Sequence, residues 1–201
     1  MRYNSLLFFL LLLLSVSCEN PFLPPVPDTN RPLEVVDPRK SPVGVINQLI
    51  KAYEYRNIGL YSSLLASDFR FYVASGFANT EMQYDGPLNS EKPDTFMEYI
   101  DDKSSAFYYW EATAEVASTR NMFDRTISIE VDQYQIDAPR YHCDSLYAEV
   151  KVSNLLLDIT IDIGYEYKII NQPQVFVLKR IELKGSKIWV IWKWYDLGTE
   201  R

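Results

Sequence analysis

Cysteine, histidine and glycine are scarce in this chain. Two cysteines, Cys18 and Cys143, and one histidine, His142, stand among 201 residues. They cannot supply the four nitrogen and sulfur ligands of a usual zinc site. His142 and Cys143 are neighbours whose side chains point apart on an extended backbone, which argues against a nucleophilic pair. Seven glycines leave little material for a phosphate-cradling loop, and no dinucleotide fingerprint occurs. The longest apolar run, Leu6 to Leu14, is nine residues, far short of the ~20 that span a bilayer. Basic residues are also few: 20 Lys and Arg stand against 27 Asp and Glu, for a net charge of −7. That balance repels nucleic acid and anionic lipid head groups alike. No metal, cofactor or nucleic acid is expected as a partner.

The apolar run follows Arg2 and precedes Ser15-Val16-Ser17-Cys18. A basic start, a short apolar core and small residues before a cleavage point form a secretory signal over residues 1–17. Ser-Val-Ser-Cys resembles the bacterial lipobox, departing from it at Ser15, where leucine is most common. The resemblance implies cleavage before Cys18 and acylation of that cysteine, with the membrane as partner through the lipid. Several acyl chains anchor firmly where one binds marginally. Cys143 is then the sole thiol of an exported chain, so no internal disulfide braces it. Residues 18–40 carry Pro21, Pro24, Pro25, Pro27, Pro32 and Pro38 and read as an extended tether.

The domain is expected over residues 41–198. Ser41-Pro42 opens a helix, and Val45, Ile46, Leu49, Ile50 and Tyr53 line one face of it. A second helix follows Asn57, with Leu60, Tyr61, Leu64 and Leu65 as its buried side. Asp68 to Val73 alternates as a strand, and Ser75 to Pro93 reads as loop. From Asp94 to Phe123 the apolar spacing suggests two helices, interrupted near Asp101 to Ser105. Beyond Arg125 the period is two: a strand over Ile127 to Asp132, then a long strand region from Leu146 whose phase slips at Ser153-Asn154, predicting a bulge or sharp bend. Tyr165 to Ile170 is a further strand. Gln174 to Asp196 closes the chain as a hairpin turning at Lys184-Gly185-Ser186. Its strands are apolar on both faces, so it should be central. In unbroken alternation, Ile188, Val190, Trp192 and Trp194 would share a face opposite Trp189, Ile191 and Tyr195. Helices first and antiparallel strands last make an α+β pattern.

Gln48-Leu49-Ile50-Lys51-Ala52-Tyr53, the run Tyr61 to Val73, and Ile188 to Asp196 together resemble the nuclear transport factor 2-like (NTF2-like, or SnoaL-like) superfamily, over about residues 41–197. The resemblance implies an α+β cone: N-terminal helices packed on the concave face of a strongly curved antiparallel sheet, a pocket for a small apolar ligand, and homodimers through the sheet's other face. Enzymes of the superfamily place carboxylates with tyrosine or other donors in an apolar cone, where burial raises a carboxyl pKa and a phenol stabilises developing charge.

Candidates to line such a cavity are Tyr72, Tyr134, Tyr147, Trp192 and Trp194, with Asp68 and Asp196 as the candidate catalytic carboxylates. No family's catalytic set matches residue by residue. The expected function is therefore an envelope-anchored, non-catalytic domain that binds a small ligand or a protein. The alternatives are an isomerase, dehydratase or hydrolase using a pocket carboxylate with tyrosine, and a dimerisation module whose cone is filled by its own side chains. The first two separate on whether a buried Asp or Glu meets a Tyr or Trp donor in an apolar cavity.

Overall fold

The computed structural model describes residues 37–73, 89–161, 165–170 and 173–197, with the backbone alone for 165–170. The signal, Cys18 and most of the tether lie outside the described residues, as does the greater part of the loop expected after Ser75. Among these residues, after a 3-10 turn over Pro38–Lys40, three α-helices and eleven strands follow in order: α1 (Pro42–Glu54), α2 (Ile58–Leu64), β1 (Leu65–Val73), β2 (Asn89–Glu91), β3 (Phe107–Glu111), α3 (Ala112–Arg125), β4 (Thr126–Asp132), β5 (Gln135–Ile136), β6 (Arg140–His142), β7 (Tyr147–Ser153), β8 (Leu156–Ile161), β9 (Tyr165–Ile170), β10 (Gln174–Leu183) and β11 (Ser186–Asp196).

The sheet order β2-β3-β1-β11-β10-β7-β5, with β6 also on β7, places the final hairpin at the centre. Its turn is made by Lys184 (φ 50) and Gly185 (φ 77), the positive-φ pair that matches the twist of flanking strands. Pairing is antiparallel throughout the sheet except that β1 runs parallel to β11. β4, β8 and β9 form a second, antiparallel sheet. β7 ends at Ser153, and Asn154 (φ 56) turns the chain into β8, so the expected phase slip is a change of sheet. The fold is α+β, with the helices packed on one face of a mostly antiparallel sheet.

Ser41 caps α1, its Oγ accepting from Gly44 N at 3.0 Å, and Asn57 caps α2, accepting from Leu60 N at 2.9 Å. Each cap satisfies an amide that the first helical turn leaves unpaired. Val45, Ile46, Leu49 and Ile50 are buried on the inner face with Phe176, Leu178 and Trp194.

Two expectations need correction. Asp94 to Ile100 is not helical, and Phe107 to Glu111 is strand β3, not the start of a helix. Phe-Tyr-Tyr-Trp favours a pleated, half-buried surface, and β3 pairs with β1 before passing into α3 without a side-chain cap. The second concerns Trp194. Val177 pairs with Lys193 and Leu178 with Ile191, so Trp192 is an extra residue, a β-bulge. Past it the phase inverts. Trp194 joins Ile191 on the inner face, and Lys193 and Tyr195 move to the outer one.

Gly44 and Gly59 separate packing from propensity. A Cβ at Gly44 would lie 1.9 Å from the Pro38 carbonyl oxygen, whereas at Gly59 the nearest atom is Asn57 Oδ1 at 3.4 Å. Gly44→Ala is expected to lose about 1–3 kcal/mol by overpacking, and Gly59→Ala to gain about 0.5–1 kcal/mol from helix propensity. Urea unfolding midpoints measure both.

Candidate functional site

Aromatic rings fill the space between helices and sheet. Tyr53 meets Tyr61 at 5.6 Å, Phe123 at 5.5 Å and Trp194 at 6.5 Å; Phe71 stacks on Trp110 at 4.7 Å, and Trp194 lies 5.0 Å from Phe71 and 4.8 Å from Phe176. Within this interior stands Glu115 of α3, 5% exposed. Its Oε1 accepts from the Tyr61 hydroxyl at 2.6 Å and the Thr119 hydroxyl at 3.1 Å, and its Oε2 from Trp110 Nε1 at 2.6 Å. Burial, then the charge of Glu115, pushes the Tyr53 phenol upward; Tyr61 is raised by burial, then by Tyr53 and Glu115. Both phenols therefore stay neutral, and Tyr61 acts as a donor to Glu115.

Sequence reasoning missed Glu115. The signal was its place on one helical stripe with Thr119 and Phe123, four and eight residues on, all buried. Glu115→Gln turns an amide N–H₂ toward a donor that the carboxylate now accepts. The expected loss is about 1–3 kcal/mol in urea unfolding.

The outer face is covered by the chain itself. Residues 92–106 pass over it, burying Met97 and Ile100 with Val175, Val177, Tyr72, Tyr195 and Phe107. Two buried charges hold this strap. Glu149, 0% exposed, accepts the backbone N–H of Glu98 at 2.8 Å and of Tyr99 at 2.9 Å. Lys193, 3% exposed, reaches Glu91 at 2.9 Å and Asp94 at 2.8 Å. Arg70 and the Tyr72 hydroxyl also bind Glu91, and Tyr72 stacks on Tyr195 at 4.2 Å. Arg140 pairs with Glu98 at 2.7 Å, and His142 Nε2 is 3.6 Å from Glu149.

Burial alone would raise the Glu91 pKa, but hydrogen bonds from Tyr72 and Lys193 and the charges of Lys193 and Arg70 outweigh it and hold the group below 4.5. A carboxyl with a depressed folded pKa stabilises the fold above its unfolded value, and that stability is lost as pH falls through the folded value. Amide exchange across the β2–β3 pairing, which Glu91 ties to Arg70, Tyr72 and Lys193, is therefore expected to quicken, relative to intrinsic rates, as pH falls below the ordinary carboxylate range, while inner-face amides of β10 stay protected. Hydrogen exchange across a pH series measures it.

The expected site residues divide between these regions. Trp194 faces the interior, with Nε1 donating to Gln174 Oε1; Asp196 accepts from Gln174 Nε2 at 3.0 Å. Tyr72, Tyr147 and Trp192 lie on the outer face, the last two with ring centroids 5.1 Å apart. Asp68 is exposed there, paired with Lys179 and accepting from Trp192 Nε1 at 3.1 Å. The same groups, with Lys179 first, outweigh its partial burial and lower its pKa. Tyr134, 40% exposed, stands apart between β4 and β5.

An open groove of about 570 Å³ runs between the α2–β1 junction and α3. Ser62, Leu65, Ala66 and Ser67 form one wall, and Ala112, Thr113, Val116, Ala117, Arg120 and Asn121 the other. Arg120 is the one charged side chain lining it, and it makes no ion pair among the described residues.

No protein-family model and no curated protein matches the sequence. Solved structures do match the fold. A conserved protein from Planctomyces limnophilus superposes with a TM-score of 0.52 at 14% identity, covering 76% of this chain and 89% of that one. A putative aromatic ring hydroxylase from Novosphingobium aromaticivorans gives 0.50 at 11% identity, over 76% and 82%. An NTF2-like protein of unknown function in nutrient uptake from Rhodospirillum rubrum gives 0.48 at 10% identity, over 78% and 96%.

Proposed function

We propose that this chain is a non-catalytic binding domain of NTF2-like fold, anchored at the bacterial cell envelope by lipid on Cys18, and that it receives a protein partner in the groove between β1 and α3. The supporting observation is the state of Glu115. A pocket base needs a lone pair directed at substrate, whereas both oxygens of this carboxylate already serve Tyr61, Thr119 and Trp110. The rings around it occupy the volume that a ligand in the cone would take. The groove, by contrast, is open and is lined by Arg120, which makes no ion pair among the described residues.

A second reading, an enzyme using Glu115 with Tyr61, is favoured by the juxtaposition of a buried carboxylate and a phenol. It requires Tyr61 or Trp110 to swing away from Glu115.

Two measurements test the proposal. Mass spectrometry of the native protein should find an acylated Cys18 at the mature N-terminus, and Cys18→Ser should leave the membrane fraction; an unlipidated chain starting elsewhere refutes the anchor. In living cells, p-benzoylphenylalanine at position 113 of the groove should give a discrete protein adduct that the same probe at exposed position 55 does not. A cross-linker at 113 that captures nothing refutes the binding reading.

A further inference from the structure

Resting on the anchored reading, we propose that the tip of the β10–β11 hairpin, together with the turn between β6 and β7, is a contact surface for the bilayer. Leu146 and Leu183 enter the head-group layer, Tyr141 lies within it, and Arg180, Lys184 and Lys187 meet lipid phosphates. The hairpin outruns the sheet on both sides. β7 pairs with β10 only as far as Lys179, opposite Tyr147, and β1 meets β11 only from Ile191. Past those points the two strands run on to their turn with no further strand in register beside them, and every residue from Glu182 to Lys187 is exposed.

A second turn is fixed beside this tip. Cys143, Asp144 and Ser145 have φ of 50, 54 and 64, a left-handed conformation that residues other than glycine adopt at a cost. Leu146 N–H closes the turn on the Cys143 carbonyl at 3.1 Å, and the Leu146 carbonyl accepts from Arg180 N at 2.9 Å. Tyr141 and Arg180 share one ring, that of Trp189, at 5.9 and 5.3 Å. Backbone and side chains thus join the two turns, and the joined tip keeps its largest apolar groups in water: Tyr141 is 52% exposed, Leu146 55% and Leu183 43%. The other large hydrophobics so exposed among the described residues, Tyr55, Ile127 and Tyr134, are scattered over other elements.

The residues around these groups select lipid over protein. Protein interfaces are depleted of lysine. A head-group layer instead takes leucine at its apolar edge and tyrosine at its polar level, while lysine and arginine lay their stems along the apolar part and raise their charges to phosphate. Arg180, Lys184 and Lys187 make no ion pair among the described residues. The acids nearby are Asp144 and Glu182, the latter opposite Lys187 in the ladder. On a chain of net charge −7, anionic head groups repel the remaining surface, so the field that draws the tip in turns the body out. Pro38–Lys40, where the tether enters the domain, also packs against β11. Residues 18–36 reach at most about 60 Å at about 3.1 Å per residue, which lets the tip touch the membrane without forcing it there.

The test uses the mature chain purified from membranes and reconstituted into vesicles of phosphatidylethanolamine and phosphatidylglycerol, with or without bromine on the acyl chains. Cys143 is exposed and, once Cys18 is acylated, is the one free thiol, so a bimane on it reads the tip. A bimane on Tyr55→Cys in a Cys143→Ser chain reads the far end of α1. Brominated lipid should quench the first label and spare the second. Leu146→Asp combined with Leu183→Asp, both at exposed positions, should bring quenching at 143 down to the level of position 55 with the urea midpoint unchanged. Lys184→Glu combined with Lys187→Glu should weaken the quenching, and high salt should do the same to the unaltered chain. Equal quenching at both labels, none at 143, or quenching that survives the paired leucine substitutions overturns the inference; so does a protein captured by p-benzoylphenylalanine at position 146 when the label at 143 is not quenched. If Cys18 proves unmodified, the anchor falls alone: the same label in a Cys18→Ser chain, mixed with the vesicles, still decides the tip.

Discussion

The hairpin of β10 and β11 is apolar on both faces, and that one constraint shapes the rest of the molecule. Two layers must cover it. The helices and their aromatic interior serve the inner face, and the strap of residues 92–106 serves the outer one. The bulge at Trp192 divides the duties of β11: it sends Trp194 inward to the rings of Phe71, Tyr53 and Phe176, and turns Lys193 and Tyr195 outward beneath the strap. Were β11 to alternate unbroken through Trp192, the ammonium of Lys193 would share the face of Ile191 and lie among those rings. An uncompensated ion there would cost several kcal/mol, roughly a large share of a domain's total stability.

Buried charge in this fold is spent on holding irregular backbone. Glu149 accepts two consecutive amides of the strap, which has no regular structure of its own over Glu98 and Tyr99. Lys193 joins the strap to β2 through Asp94 and Glu91. Glu115 ties three separate elements, α2 through Tyr61, β3 through Trp110 and α3 through Thr119. In each case the charged group is met by several donors or by opposite charges, the condition under which burial of an ion is tolerated. The clusters differ in one respect: the inner one consists of a single carboxylate and neutral donors, whereas the outer one mixes both signs of charge. Acid therefore acts on the outer layer by removing carboxylates from standing ion pairs, a route the neutral donors around Glu115 do not share.

Much of this was legible in the sequence, and the gaps have physical causes. Ser41-Pro42 marked α1, and large apolar side chains on both faces marked the final hairpin and its central place. The helical reading of Phe107 to Phe123 failed because Phe107, Trp110, Ala114 and Ala117 keep a helical spacing across the junction of β3 and α3, and no capping side chain marks the change. Phe96, Tyr99 and Ile100 have helical spacing too, yet that segment is shaped by contact with the sheet and by Glu149, fifty residues away in sequence. A bulge inside Ile-Trp-Val-Ile-Trp-Lys-Trp-Tyr leaves no mark in composition, because an added apolar residue resembles its neighbours. Asp68 and Asp196 drew attention as carboxylates next to strands. Glu115 lay on a helix, where a glutamate is ordinarily solvated, and only Thr119 and Phe123 on the same stripe betray its burial.

A filled interior shifts the place where such a fold can act. Once Tyr53, Tyr61, Phe71, Trp110 and Trp194 occupy the cone, a ligand there would have to displace side chains that make up the core, at about 3–5 kcal/mol for a large aromatic. The outer face is closed by the strap, whose removal would expose Val175, Val177 and two stacked tyrosines to water. The periphery between β1 and α3 has neither obstacle. There a groove of about 570 Å³ lies open between the α2–β1 junction and α3, with Arg120 on its lining. Binding in that groove need not disturb either layer of the hairpin's cover.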